Sequence, residues 1–131
     1  MKIEEFMRKI DDVTKKYPAE SEKALEFGAR AMRRALIKNS PVGKYGPDKL
    51  RISKNWKVAY EYRGRESIAK IRNKSPHYHL VERGHRIVDR KGRTKGFQQG
   101  QFFTKKTVAN EGEAIKQRMT KKLYRLLKDK L

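Results

Sequence analysis

The sequence predicts an α+β domain: N-terminal helices, a small antiparallel β-sheet, and a long C-terminal helix packed on the sheet. Three observations carry this. Apolar residues recur at helical spacing over residues 3–36 and again over 108–127. From Trp56 the period falls to two, as in a half-buried strand. Glycine and proline punctuate the stretch between the first helices and the strands.

Ile3, Phe6, Met7, Ile10 and Val13 share one side of a first amphipathic helix that ends near Tyr17-Pro18. A second helix is expected over about 19–39, its stripe formed by Ala24, Leu25, Gly28, Met32, Ala35 and Leu36. The small residues at 24, 28, 31 and 35 leave room for a close neighbour. Pro41 stops this helix, because a proline disfavours helical backbone in the residue before it. Residues 40–54 read as a loop around Pro41, Gly43, Gly46 and Pro47.

Trp56, Val58 and Tyr60 then alternate with Lys57, Ala59 and Glu61, and Tyr62 extends the strand. This alternation assigns Tyr60 and Tyr62 to the core side with Trp56. Arg63-Gly64-Arg65 is a turn, and 68–72 an antiparallel partner strand. Residues 76–83 form a short helix or turn closed by Gly84, and 86–90 a weak third strand. Residues 90–101 hold three glycines, four basic residues and a single hydrophobe, Phe97. Such a stretch does not offset its own ordering entropy, which predicts a mobile basic loop, about 86–101, that orders on a partner. The last helix runs over about 104–130, with Val108, Ile115, Met119, Leu123, Leu126 and Leu127 on its apolar side.

Length and composition bound the function. The 131 residues suit one domain. The formal net charge is +20, and such an excess is compensated by nucleic acid, an acidic surface or an acidic protein. The charge is uneven: residues 1–27 carry net −1 and residues 28–131 net +21. With no cysteine, the chain has no disulfide, thiol nucleophile or cysteine metal site, in keeping with a reducing cytoplasm. The charged first residues do not resemble a signal peptide, and no apolar run is long enough to cross a membrane as a helix.

The chemical motifs are few. His77, His79 and His85 lie close in sequence with Glu82 among them, a combination that suits either a metal site or polar surface beside a turn. With Tyr78, Arg83 and Arg86 the same histidines resemble the equipment of a small ribonuclease-like toxin, but no nucleophile–base pair stands out. The glycines at 92, 96 and 100 match neither a nucleotide-binding loop nor a dinucleotide fingerprint. No catalytic residue, metal, cofactor or small-molecule substrate is expected. The basic excess keeps a nucleic-acid-binding module as an alternative reading.

Four segments together carry a resemblance: Asn39-Ser40-Pro41-Val42 followed by Gly46, Leu50 and Ser53; the strand pair; Tyr78-His79-Leu80-Val81-Glu82-Arg83-Gly84-His85; and Gly100-Gln101-Phe102-Phe103 leading into the last helix. They resemble the tail-component family of long-tailed bacteriophages, the small neck, tail-completion and head–tail joining proteins. The resemblance covers about residues 24–127. Pro41, Leu50 and Ser53 fit its first motif, Tyr78, Val81, Glu82 and Gly84 its second, and Phe102 and Phe103 its third. The Lys44-Tyr45 insertion, His79 in place of a small residue and His85 in place of threonine depart from it.

The resemblance implies a structural virion protein that is not an enzyme. It implies assembly in the host cytoplasm into a ring, commonly six-fold, against neighbouring neck and tail proteins. In that setting Pro41 ends a helix, Tyr78, Leu80 and Val81 plug the core, Glu82 pairs with a nearby arginine, and Gly84 permits a turn. The charge asymmetry suggests how subunits meet: Asp11 and Asp12 of one against the basic body of the next. Arg86, Arg90, Lys91, Arg93 and Lys95 would then face the lumen, the next ring or DNA.

Overall fold

The computed structural model describes residues 1–42, 50–63 and 66–131. The expected turn at 64–65, and the Gly43, Gly46, Pro47 and Lys44-Tyr45 features within 43–49, lie outside them. The chain is α+β: three N-terminal helices, α1 (Ile3–Arg8), α2 (Ile10–Lys16) and α3 (Pro18–Asn39), precede the strands, and α5 (Phe103–Leu127) follows them. Between these lie a 3-10 turn (Ile52–Lys54), β1 (Trp56–Arg63), β2 (Glu66–Asn73), a short α4 (Tyr78–Arg83), β3 (Gly84–Val88) and β4 (Thr94–Gln99).

The single helix expected at the N-terminus is two. Lys9 leaves helical geometry, and its N–H is shared between the carbonyls of Glu5 and Phe6. No proline or glycine marks the spot. Phe6 and Val13 are buried as expected, whereas Met7 faces water. Pro18 occupies the first turn of α3, where its missing N–H costs nothing and its φ is already helical. At the other end Ser40 is extended ahead of Pro41, as the pre-proline constraint requires.

Helices α3 and α5 lie antiparallel along most of their length. Ala24 and Leu123 share one buried cluster, with Phe6, Val13 and Leu127. Leu36 and Phe103, from the opposite ends of the same helices, share another with Ile52 and Trp56. The small residues of α3 set the spacing: a side chain at Gly28 would overlap Met119 of α5. The buried positions of α5 are Phe103, Thr107, Ile115, Leu123 and Leu127. They follow the four-residue spacing of a helix ridge, which leaves Val108 exposed.

Two details of the expected architecture are corrected. The strands form two separate two-stranded antiparallel sheets, β1–β2 and β3–β4. The long helix packs mainly on α3, and it is α3 that lies against the first sheet. The registers run from Trp56↔Asn73 to Arg63↔Glu66 in the first sheet. In the second they run from Gly84↔Gln99 to Val88↔Thr94, with a bulge that leaves Lys95 unpaired. The alternation of β1 holds for Trp56 but fades outward, and Tyr62, expected on the core side, is not buried. Tyr62 is exposed, stacks on Tyr60 and donates its hydroxyl to Glu26 Oε1 at 2.9 Å.

Candidate functional site

The residues behind the resemblance converge on Trp56. Its ring is 2% exposed, and its Nε1–H donates to Ser40 Oγ at 2.8 Å. Ser40 in turn donates to the Leu36 carbonyl at 2.6 Å. Tyr78 and Phe103 meet Trp56 edge to face, with centroids 5.6 and 6.4 Å away, and each other at 5.8 Å. The end of α3, the start of β1, α4 and the start of α5 are thus tied at one ring. Tyr78 and Thr104 share a hydrogen bond between hydroxyls at 2.9 Å.

The loop residues of the motif serve the same junction. The Leu50 carbonyl accepts from Ser75 Oγ at 2.6 Å, and the Ile52 carbonyl accepts from Asn73 Nδ2 at 2.8 Å. Ser53 sits in the 3-10 turn that Ile52 begins, and Ile52 itself enters the core. Val81 packs there as expected; Leu80 instead points outward.

Glu82 has a different role from the one expected. It is only 7% exposed, and none of the ion pairs among the described residues includes it. Its carboxylate accepts the Thr104 N–H at 3.0 Å (Oε2) and the Lys105 N–H at 3.2 Å (Oε1). These are free amides of the first turn of α5, so Glu82 caps that helix from outside it, where a negative charge also suits the helix dipole. Nearby, the Gln101 and Phe102 N–H groups donate to the Val81 and Glu82 carbonyls at 2.9 and 3.0 Å. Phe102 takes a left-handed conformation, φ 50°, to turn the chain into α5. Gly84, at φ 87°, and Gly100 lie backbone to backbone, and a β-carbon on either would overlap the other's strand.

From this clamp the β3–β4 hairpin projects. Where the sequence predicts a loop, the structure has a paired ribbon with residues 90–99 all exposed. Its order comes from backbone pairing and from Asp89, not from burial. Asp89 Oδ1 accepts the Lys91 and Arg93 N–H groups, each at 2.9 Å, and Oδ2 accepts Arg93 Nε at 2.8 Å. The Arg93 amide holds the Asp89 carboxyl below its ordinary range, opposed by partial desolvation and aided by the Arg93 guanidinium and the Lys91 amide. A single acid thus organises a tip that carries Arg90, Lys91, Arg93 and Lys95. Phe97 lies against Gly84 at the root, a contact no local sequence signal announces.

The other predicted residues are scattered. Asp11 and Asp12 are exposed in the first turn of α2, and Arg86 is exposed on β3. Among the described residues, no group of three histidine or acidic side chains is placed to hold a metal. His79 packs edge-on to Tyr78 instead. The arrangement is a junction that presents an arm.

The model of the family described as bacteriophage HK97-gp10, tail-component, matches residues 4–84. The chain belongs to this HK97-gp10-like tail-component family. It is thus a structural phage protein that works among other tail proteins of the virion, a class distinct from enzymes. The match reaches further toward the N-terminus than the resemblance above and ends at Gly84, where the hairpin leaves the body. No curated protein and no solved structure matches the chain.

Three outcomes are expected of this tail component. Glu82→Ala leaves two amides of the first turn of α5 without their acceptor and lowers stability by about 1–2 kcal/mol, read by chemical denaturation. Asp89 has a lowered folded pKa, so its contribution is present above the ordinary value of 3.8 and is lost as pH falls through the lowered one. Amide exchange at Lys91 and Arg93, compared across pH 3 to 6 with correction for intrinsic rates, should show protection lost at the acid end. Asp89→Asn should weaken that protection at neutral pH.

Proposed function

We propose that the protein is a ring-forming component of the phage neck that completes the tail and joins it to the head. Membership of the tail-component family carries this reading. A head-to-tail contact between identical chains closes into a ring where its rotation allows, and six-fold closure is what the family resemblance implies. Two further observations support it. The first 27 residues are net −1 while the rest is net +21, which supplies opposite faces for such a contact. The hairpin is an arm whose outer part, residues 90–99, is exposed throughout, with Ile87 and Val88 exposed on the facing strand.

In this reading Asp11 and Asp12 of one subunit face the basic body of the next. The ring forms in the host cytoplasm on its neck and tail neighbours and stays in the virion. Its work is mechanical, without catalysis or cofactor. The net charge of +20 also favours contact with DNA passing through the ring. That contact is separable, since duplex affinity would fall steeply as salt rises.

Lysates of a phage lacking this gene should show filled heads and free tails side by side in electron micrographs; joined particles would retire the reading. Asp11→Lys combined with Asp12→Lys alters two exposed side chains. It should leave the circular dichroism spectrum intact and abolish the ring seen by native mass spectrometry. A normal ring from this variant would sink the charge mechanism.

A further inference from the structure

The hairpin carries more than charge. The pleat puts Arg86, Val88 and Phe97 on one face, and Val88 and Phe97 are 53% and 59% exposed. Ile87, on the other face, is exposed too. A lone two-stranded ribbon is marginal in water, and large apolar side chains clustered on its surface mark a contact. Arg86, Arg90 and Lys91 join none of the ion pairs among the described residues. The surface that fits this arm is therefore apolar at its floor and acidic at its rim.

The chain itself has one. A groove of about 310 Å³ opens between α2, α3, α5 and the start of β2, with Ile10, Leu25, Met119 and Leu123 among its lining and Glu66 on its wall. Asp11 and Glu22 follow the lining residues Ile10 and Ser21 in sequence. Glu22 and Glu26 also act on Tyr62, which pairs across the sheet with the lining residue Ser67. The Tyr62 hydroxyl, bonded to Glu26, is pushed up to about 12, with desolvation and the charges of Glu26 and Glu22 adding to the shift. The hairpin is rooted at the first residues of α5, and the groove lies beside Met119 and Leu123. Between Phe103 and Met119 that helix rises about 24 Å, so arm and groove stand at opposite ends of the molecule.

We propose that the hairpin of one subunit lies in this groove of a second copy, with Phe97 and Val88 against Ile10, Leu25 and Met119, and the basic residues of the arm facing Asp11, Glu22 and Glu66. Two different surfaces meet, so the contact is heterologous and propagates from copy to copy. It deepens the ring reading and rests on it. Nucleic acid is the poorer occupant of the hairpin, because a phosphate backbone would leave Val88 and Phe97 in water.

The absence of native cysteine makes the test direct. Phage particles are assembled with the full chain carrying Phe97→Cys and Leu25→Cys, oxidised and run on a non-reducing gel. The expected result is a covalent ladder from dimer up to the ring, absent from either single variant. The protein present in joined particles without a ladder overturns the inference and leaves the ring reading standing. Its absence from the particles overturns both. A second variant guards against a pair that assembles poorly. Phe97→Asp, at an exposed position, should keep its circular dichroism and melting temperature while raising the concentration needed for self-assembly by about tenfold or more, the loss expected of a buried anchor. Unchanged self-assembly overturns the proposal, as does a loss confined to duplex DNA binding.

Discussion

The indole of Trp56 is the point on which the rest of the structure depends. It sits at the start of β1, yet its edge is held by Ser40 at the end of α3, and its faces by Tyr78 and Phe103 from either side of the hairpin. Four segments far apart in sequence are brought to one residue. The hydrogen bond matters as much as the packing, because a buried indole N–H without an acceptor is costly. Ser40 supplies that acceptor at the point where Pro41 ends the helix.

Much of this was legible in the sequence. Hydrophobic period placed α3, β1, β2 and α5 to within a few residues, because each has one side against a core and one in water. The small residues of α3 announced a close helix partner, and Gly28 against Met119 is that contact. What the sequence concealed is the identity of the partner. Periodicity reports that a face is buried, not which element buries it, so α5 was expected on the sheet and lies on α3. Likewise β4 escaped notice. Thr94, Gly96 and the glutamines lack strand composition, and the ribbon is ordered by a bulged backbone ladder and by Asp89 at its tip.

Glu82 was expected to pair with an arginine, and its work as a cap was not legible. Its partners are backbone amides more than 20 residues away, and sequence reading recognises caps only when they are local. The residues of the tail-component motif divide in the same way. Those that pack, such as Tyr78 and Val81, follow from chemistry and spacing. Those that serve the backbone, such as Glu82 and Phe102, make sense only once the two strands of the hairpin are seen to leave and re-enter the body at one place.

That place has an evolutionary meaning. Because Gly84 and Gly100 lie backbone against backbone, everything between them is an insertion hung on a closed junction: the body keeps its core, its capped helix and its aromatic knot whatever length of chain hangs outside. The reach and chemistry of the arm can therefore drift quickly while the body that bears it stays the same. A change of partner at the arm would then call for changes within residues 85–99 and not for a new fold.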